Sequence, residues 1–216
     1  MLNGQKSLKI NQQLRKKFIY LISPPEIKDQ DFFDQLRKLL SLNKISFFQL
    51  RVNKFEKQKI IFGEKIRNIT KRYRVKFLVN DDPILAKKLN ADGCHLGQKD
   101  MDVKKARKIL GNKKIIGVTC HNSKFFINKA VKENADYVAL GSFFKTKTKK
   151  IRHKANLSTL KWCKNTHNLP IVAIGGINNK NYKKLLLNQA DFLAISGYIW
   201  KNKKFKPEHA LKKLKK

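Results

Sequence analysis

Eight short apolar runs, each followed by residues at helical spacing, constrain the fold of this chain more than any other feature. The runs are Phe18–Ile22, Ile45–Leu50, Val75–Val79, Gly93–Leu96, Ile115–Val118, Tyr137–Leu140, Ile171–Ile174 and Phe192–Ile195. They are apolar nearly throughout instead of alternating with polar residues. That is the pattern of strands covered on both faces, and hence of a parallel sheet. Eight strand–helix units within 216 residues predict a (β/α)8 TIM barrel rather than an open doubly wound sheet. A single barrel domain is expected over 18–216, after a polar leader over 1–17.

The segments between the runs carry helix signals. Phe32, Phe33, Leu36, Leu39 and Leu40 recur at helical spacing, as do Ile61, Phe62, Ile66, Ile69 and Tyr73. Gly63 interrupts the second set at a cost of about 1 kcal/mol relative to Ala. Gly111 suits a C-cap, Ser123 an N-cap and Pro207 the first turn of a last helix.

Lys and Arg number 50 against 15 Asp and Glu, a formal net charge of +35. Such a charge raises the question of nucleic acid. The lysines, however, fall on nearly every expected helix and loop, in a chain also rich in Asn, Ile and Phe. A solvated coat follows, with no specific nucleic-acid partner. Cys94, Cys120 and Cys163 are odd in number and widely spaced, which indicates neither a disulfide framework nor a zinc site. With no apolar core in the first residues and no run of membrane-spanning length, a cytoplasmic protein is expected.

In a barrel of this kind the chemistry collects where the strands end. Here those ends carry Gln49 and Arg51, Asn80 and Asp81, Asp100, Thr119 and His121, then Thr146, Thr148 and Lys149, Gly175 and Gly176, and Ser196 and Gly197. The loop Thr146-Lys147-Thr148-Lys149 places two hydroxyls and an ammonium together, a phosphate cradle by chemistry. Alone it reads equally well as a lysine-rich surface loop, and Asp81 or Asp100 alone as a helix N-cap. Converging on one rim, the two carboxylates with cations, hydroxyls and glycine amides would suit Mg²⁺ held with a diphosphate.

At these residues the chain resembles the thiamine-phosphate synthase family. The resemblance covers about Phe48 to Ile199 and rests on Gln49-Leu50-Arg51, Asn80-Asp81, the segment from Ala91 to Met101, Ile116 to His121, Ala135 to Val138, Thr146 to Lys149, Val172 to Ile177 and Ala190-Asp191. It implies a transferase that couples an aminopyrimidine methyl diphosphate to a thiazole phosphate. Diphosphate would leave first, and the thiazole nitrogen would trap the pyrimidine-stabilised cation.

By the same resemblance, Asp81 and Asp100 would hold Mg²⁺. Arg51, Asn80 and Lys149 would bind diphosphate, with Thr119 where the family usually has Ser. Gln49 would sit by the pyrimidine. Thr146 and Thr148 would face the thiazole phosphate, helped by amides near Gly176, Ile195 and Ser196. The chain departs from the usual family pattern at Asn53-Lys54, at Asp82 and at Ser196-Gly197.

Two other readings stand beside this one. A thiazole tautomerase on the same barrel would use His121 as a proton-transferring base, and a nucleic-acid-binding barrel would use the charge. His95 is expected to pack or bond locally. Cys120-His121 is not expected to form a nucleophile–base pair, since adjacent residues in an extended segment point apart. The Phe-rich runs are read as core.

Overall fold

The computed structural model describes residues 17–27, 30–52, 56–146 and 153–215. Eight parallel strands close on themselves in sequence order, each hydrogen-bonded to the next and the eighth to the first. They are β1 (Ile19–Ile22), β2 (Ile45–Leu50), β3 (Lys76–Asn80), β4 (Gly93–Leu96), β5 (Ile115–His121), β6 (Tyr137–Gly141), β7 (Ile171–Ile174) and β8 (Phe192–Ile195). Among the described residues the outer helices are α1 (Gln30–Ser41), α2 (Glu56–Arg72), α3 (Pro83–Lys88), α4 (Val103–Leu110), α5 (Lys124–Lys132), α6 (Leu157–Thr166), α7 (Tyr182–Leu187), α8 (Gly197–Trp200) and α9 (Pro207–Lys212). The fold is the (β/α)8 barrel that the apolar runs predict. The expected leader falls, apart from Lys17, outside the described residues.

Alternation along each strand divides the apolar residues into two cores. Ile19, Leu21, Phe48, Phe77, Val79, Ile116, Val138, Leu140 and Leu193 face outward and pack with the helices. Tyr20, Phe47, Leu78, Ile115, Tyr137, Val172 and Phe192 fill the barrel itself. Phe47 meets Phe192 edge-on at 5.1 Å between ring centroids and lies 5.4 Å from Tyr20. The interior is thereby plugged by side chains, and chemistry is left to the rim where the strands end.

Three Ala-Asp pairs at the other end hold the strands in register. Asp92 accepts from the Phe77 amide at 2.9 Å, Asp136 from Ile116 at 2.8 Å and Asp191 from Ile171 at 2.8 Å. Each carboxylate also meets a cation: Lys76 at 3.0 Å, Arg107 at 2.6 Å and Lys164 at 2.9 Å, respectively. These parts of the family resemblance therefore serve the barrel's stability and lie away from the rim.

Gly63 sits inside α2 without breaking it. A Cβ there would come within 2.3 Å of Leu89 Cδ1, so the glycine lets the end of α3 pack closely against α2. No helix among the described residues is long and apolar enough to cross a membrane.

Candidate functional site

Four consecutive strands bring the expected polar residues to one arc of the rim. On β2, Gln49 points into the barrel, is 2% exposed and donates from Nε2 to Asn80 Oδ1 on β3 at 2.7 Å. Arg51 follows, its backbone clamped to the end of β1. The Arg51 amide donates to Ser23 Oγ at 2.8 Å, and that hydroxyl donates back to the Arg51 carbonyl at 3.0 Å. Ser23 also accepts at its carbonyl from Ser196 Oγ at 3.2 Å, so one buried serine ties the ends of β1, β2 and β8 together. Nothing in an isolated Ser-Pro-Pro marks that role; the partners lie 28 and 173 residues away.

The helix-cap reading of the two carboxylates fails at both positions. Asp82, not Asp81, caps α3 by accepting from the Leu85 amide at 2.9 Å, and Pro83 occupies the first turn. Asp102, not Asp100, caps α4, accepting from Lys105 at 2.7 Å. Asp81 turns the chain in the left-handed region, φ 65°, which Asp tolerates better than most residues, and its amide donates to the His95 carbonyl at 2.7 Å. Asp100 closes the turn after β4, with Oδ2 accepting from Gly97 N at 2.6 Å. Their strands are neighbours, with Asn80 opposite His95.

The fifth strand runs three residues further than its apolar run. Thr119 pairs with Ala139 and His121 with Leu140, with a bulge between them. Extra twist at such a bulge re-aims the residues that follow it. Cys120 is buried against the helices, and burial pushes its thiol well above the ordinary range. Cys94 is likewise pushed up to about 12 by burial. Neither thiol supplies a thiolate near neutral pH. His121, φ 54°, lies with its ring 4.2 Å from that of His153 and 6.4 Å from Phe126.

His95 joins three strands, so its bonding is not merely local. Nδ1 is 2.8 Å from Tyr137 Oη on β6, and Nε2 is 2.8 Å from Thr119 Oγ1 on β5. Tyr137 Oη in turn lies 2.9 Å from Tyr20 Oη on β1. Burial, then the Arg51 guanidinium, lower the His95 pKa from its ordinary 6.5 to about 4. The unfolded chain therefore takes up a proton between pH 6.5 and 4 that the folded barrel refuses, and stability falls as pH falls through that window. The shift corresponds to about 3 kcal/mol. Urea midpoints at pH 7 and pH 4.5 should show this loss, and His95→Gln should flatten it. An unchanged slope in His95→Gln would assign the pH dependence elsewhere.

On the opposite arc, the loop after β6 continues the pairing with β7. Phe143 N donates to Ile174 O at 3.1 Å and Phe144 N to Gly175 O at 3.0 Å. Gly175 (φ 107°) and Gly176 (φ 63°) are required there. A Cβ would lie 1.9 Å from Ser142 Oγ in the first case and 2.3 Å from the Lys145 carbonyl in the second. Thr146 is the last described residue of the loop, and Thr148 and Lys149 lie outside the described residues. Ile195 packs its side chain outward, leaving only its backbone to the rim. Ser196 stands at the start of α8, with its hydroxyl engaged by Ser23.

Among the described residues no group of three or more His, Cys, Asp and Glu comes together as a metal cage. Asp81 and Asp100 are instead a pair of hard oxygen donors on adjacent strand ends, with neither tied up as a helix cap. Such a pair suits a cation that keeps several waters and completes its shell with phosphate oxygens.

Comparison with known proteins gives a consistent picture. The model of the thiamine monophosphate synthase family matches residues 19–199. The thiamine-phosphate synthase of Pelagibacter ubique is 62% identical over 204 residues, covering 94% of this chain and 98% of the relative. That of Rhodospirillum centenum is 38% identical over 183 residues, covering 84% and 88%. Among solved structures, the thiamine phosphate pyrophosphorylase of Pyrococcus furiosus aligns with a TM-score of 0.79 at 26% identity, covering 94% of this chain and 95% of that one. A 3-hexulose-6-phosphate synthase aligns with a TM-score of 0.62 at 15% identity, a likeness of fold alone.

Proposed function

The chain belongs to the thiamine monophosphate synthase family of transferases, and from that premise we propose that it joins an aminopyrimidine methyl diphosphate to a thiazole phosphate, releasing diphosphate, with Mg²⁺ held by Asp81 and Asp100. The observation that carries this reading is the convergence of Gln49, Arg51, Asn80, Asp81, Asp100 and Thr119 on four adjacent strand ends, with both metal carboxylates spared from capping. When bound, Mg²⁺ would supply charge neutralisation for the departing diphosphate.

The chain's own groups then have distinct tasks. Asn80 holds the Gln49 amide through one N–H, which leaves the Gln49 carbonyl to accept from the pyrimidine's exocyclic amine. Arg51, Asn80, Thr119 and Lys149 bind diphosphate oxygens. Thr146 and Thr148, with amides at Gly176, Ile195 and Ser196, receive the thiazole phosphate. The loops after the last two barrel strands and a short extra helix are a common phosphate position in this fold, and α8 is such a helix. One cation about 4 Å from the leaving group contributes on the order of 4 kcal/mol at an effective dielectric near 20. Several such contacts reach the roughly 8–23 kcal/mol that enzymes supply, so no protein nucleophile or general base is required. The product assay is direct: both phosphorylated precursors with Mg²⁺ should give thiamine phosphate and one diphosphate per product. No product from the pair would end the proposal.

We infer a cytoplasmic protein without a specific nucleic-acid partner. Basic residues occupy the last turn of every outer helix from α1 to α7 and of α9, where they favour the helix dipoles and encircle the barrel instead of forming a stripe. Any binding to DNA or RNA should be sequence-independent and fall by orders of magnitude between about 50 and 200 mM salt. Sequence-selective binding that persists at physiological salt would overturn this assignment.

A further inference from the structure

The barrel interior holds a chain of four hydrogen-bonding groups, of which the coupling reaction as proposed touches only the last, Thr119. Tyr20 Oη, Tyr137 Oη, the His95 ring and Thr119 Oγ1 follow one another at 2.9, 2.8 and 2.8 Å, crossing from β1 through β6 and β4 to β5. Gly117 makes it possible: a Cβ there would lie 1.8 Å from Tyr137 Cζ, so the strand must present bare backbone for the phenol to lie across it. Tyr20 and Tyr137 are 2% and 3% exposed. Thr119, at the far end, keeps part of its surface open at the rim.

We propose that this chain is ordered in one direction, from Tyr20 to Thr119, so that His95 is held as the Nε2–H tautomer and Thr119 keeps its own proton free to donate to an anionic substrate oxygen. The direction follows from where a buried proton can go. Tyr20 Oη has Tyr137 Oη as its hydrogen-bond partner among the described residues and is otherwise set among Phe47 and neighbouring apolar groups. Tyr20 must therefore donate to Tyr137, since an unpaired buried hydroxyl proton is the costliest arrangement available. Tyr137 then has its proton left for His95 Nδ1, which must accept.

A ring that accepts at Nδ1 carries its proton on Nε2 and donates it to Thr119 Oγ1. The hydroxyl of Thr119, filled as an acceptor from inside, points its donor out of the barrel. The reverse order, or a doubly protonated ring, strands a proton on Tyr20 or Tyr137 in the core. The reverse order would also consume the Thr119 donor, which would then be spent on His95 Nε2.

His95 and Tyr137 thus act as positioning residues for one charge-assisted hydrogen bond. This rests on the reading of Thr119 as a diphosphate contact, but the proton order itself does not require any substrate. It is read by long-range ¹H–¹⁵N correlation of the histidine rings in the substrate-free full chain. The chain has five histidines, and His95 is identified by the signals that vanish in His95→Gln.

At pH 7 the wild type should show His95 protonated at Nε2 and bare at Nδ1. Tyr20→Phe should keep that tautomer, because Tyr137 still has only Nδ1 to donate to. Tyr137→Phe should lose the single tautomer and lower kcat/KM by about tenfold, the scale of one hydrogen bond to a charged group. A wild-type ring protonated at Nδ1, or at both nitrogens, would overturn the proposal even if Tyr137→Phe fails to fold. So would an unchanged tautomer in Tyr137→Phe or a lost one in Tyr20→Phe. Failure of the wild type to make thiamine phosphate would instead remove the synthase reading and leave the ring measurement standing.

Discussion

Asp100→Asn should leave the barrel folded and lower turnover by about 100-fold or more, the scale at which a group stabilising developing charge is missed. The substitution is chosen because it separates charge from structure. An asparagine retains a side-chain oxygen to accept from Gly97 N, so the turn after β4 keeps its 2.6 Å closure. What disappears is one of two negative charges that would hold the metal. Asp81→Asn should behave alike, since Asn also tolerates the left-handed backbone at φ 65°. By contrast, Asp82→Asn and Asp102→Asn alter helix caps and should leave turnover within a few-fold of wild type. Turnover in saturating Mg²⁺, with circular dichroism to check folding, distinguishes the pairs. Equal losses at all four positions would mean a structural effect and would remove the metal assignment.

The second large effect separates coupling from proton transfer on the same barrel. Lys149→Ala should cut turnover by about 100-fold, because an ammonium that meets diphosphate as charge builds is needed most in the transition state. His121→Ala should cost far less. In the structure that ring lies against His153 and Phe126, and a dissociative coupling has no proton abstraction to limit it. A tautomerase demands the opposite ranking, with His121 essential and Lys149 modest. Steady-state turnover of both variants on the two phosphorylated precursors decides between them. A dead His121 variant beside a healthy Lys149 variant would contradict the synthase reading.

Much of the fold was legible because buried parallel strands announce themselves as unbroken apolar runs. The strand positions agree within a few residues, and Gly111, Ser123 and Pro207 stand at the helix ends where their chemistry places them. Where reading fell short, the missing information was three-dimensional. The run at Ile115–Val118 gives no hint that β5 continues to His121, because the extension depends on a bulge opposite β6. Helix α8 has four residues, too few for any periodicity to show. The cap aspartates were readable, since Asp82 stands directly before Pro83 and Asp102 before Val103, and this would have freed Asp81 and Asp100 from the cap reading.

Side-chain networks across the barrel were the least legible. Tyr137 begins an apolar run and reads as core, yet its hydroxyl bonds residues 117 positions before it and 42 positions before it. Ser23 likewise looks like punctuation before two prolines, although it joins three strand ends. Such roles depend on which strands become neighbours and on which face a side chain lies. The family resemblance points to the rim, but the register explains why Gln49 meets Asn80 and why His95 meets Thr119.

On the proposed function, metal held at Asp81 and Asp100 drives diphosphate departure in thiamine phosphate formation. Its most direct test is turnover of the wild-type chain on both phosphorylated precursors, after stripping with chelator and during stepwise return of Mg²⁺. The expected result is no thiamine phosphate in chelator, recovery with added Mg²⁺, and no such recovery in Asp100→Asn at the same Mg²⁺ concentrations. Full wild-type turnover in chelator, or full turnover of Asp100→Asn, would contradict it.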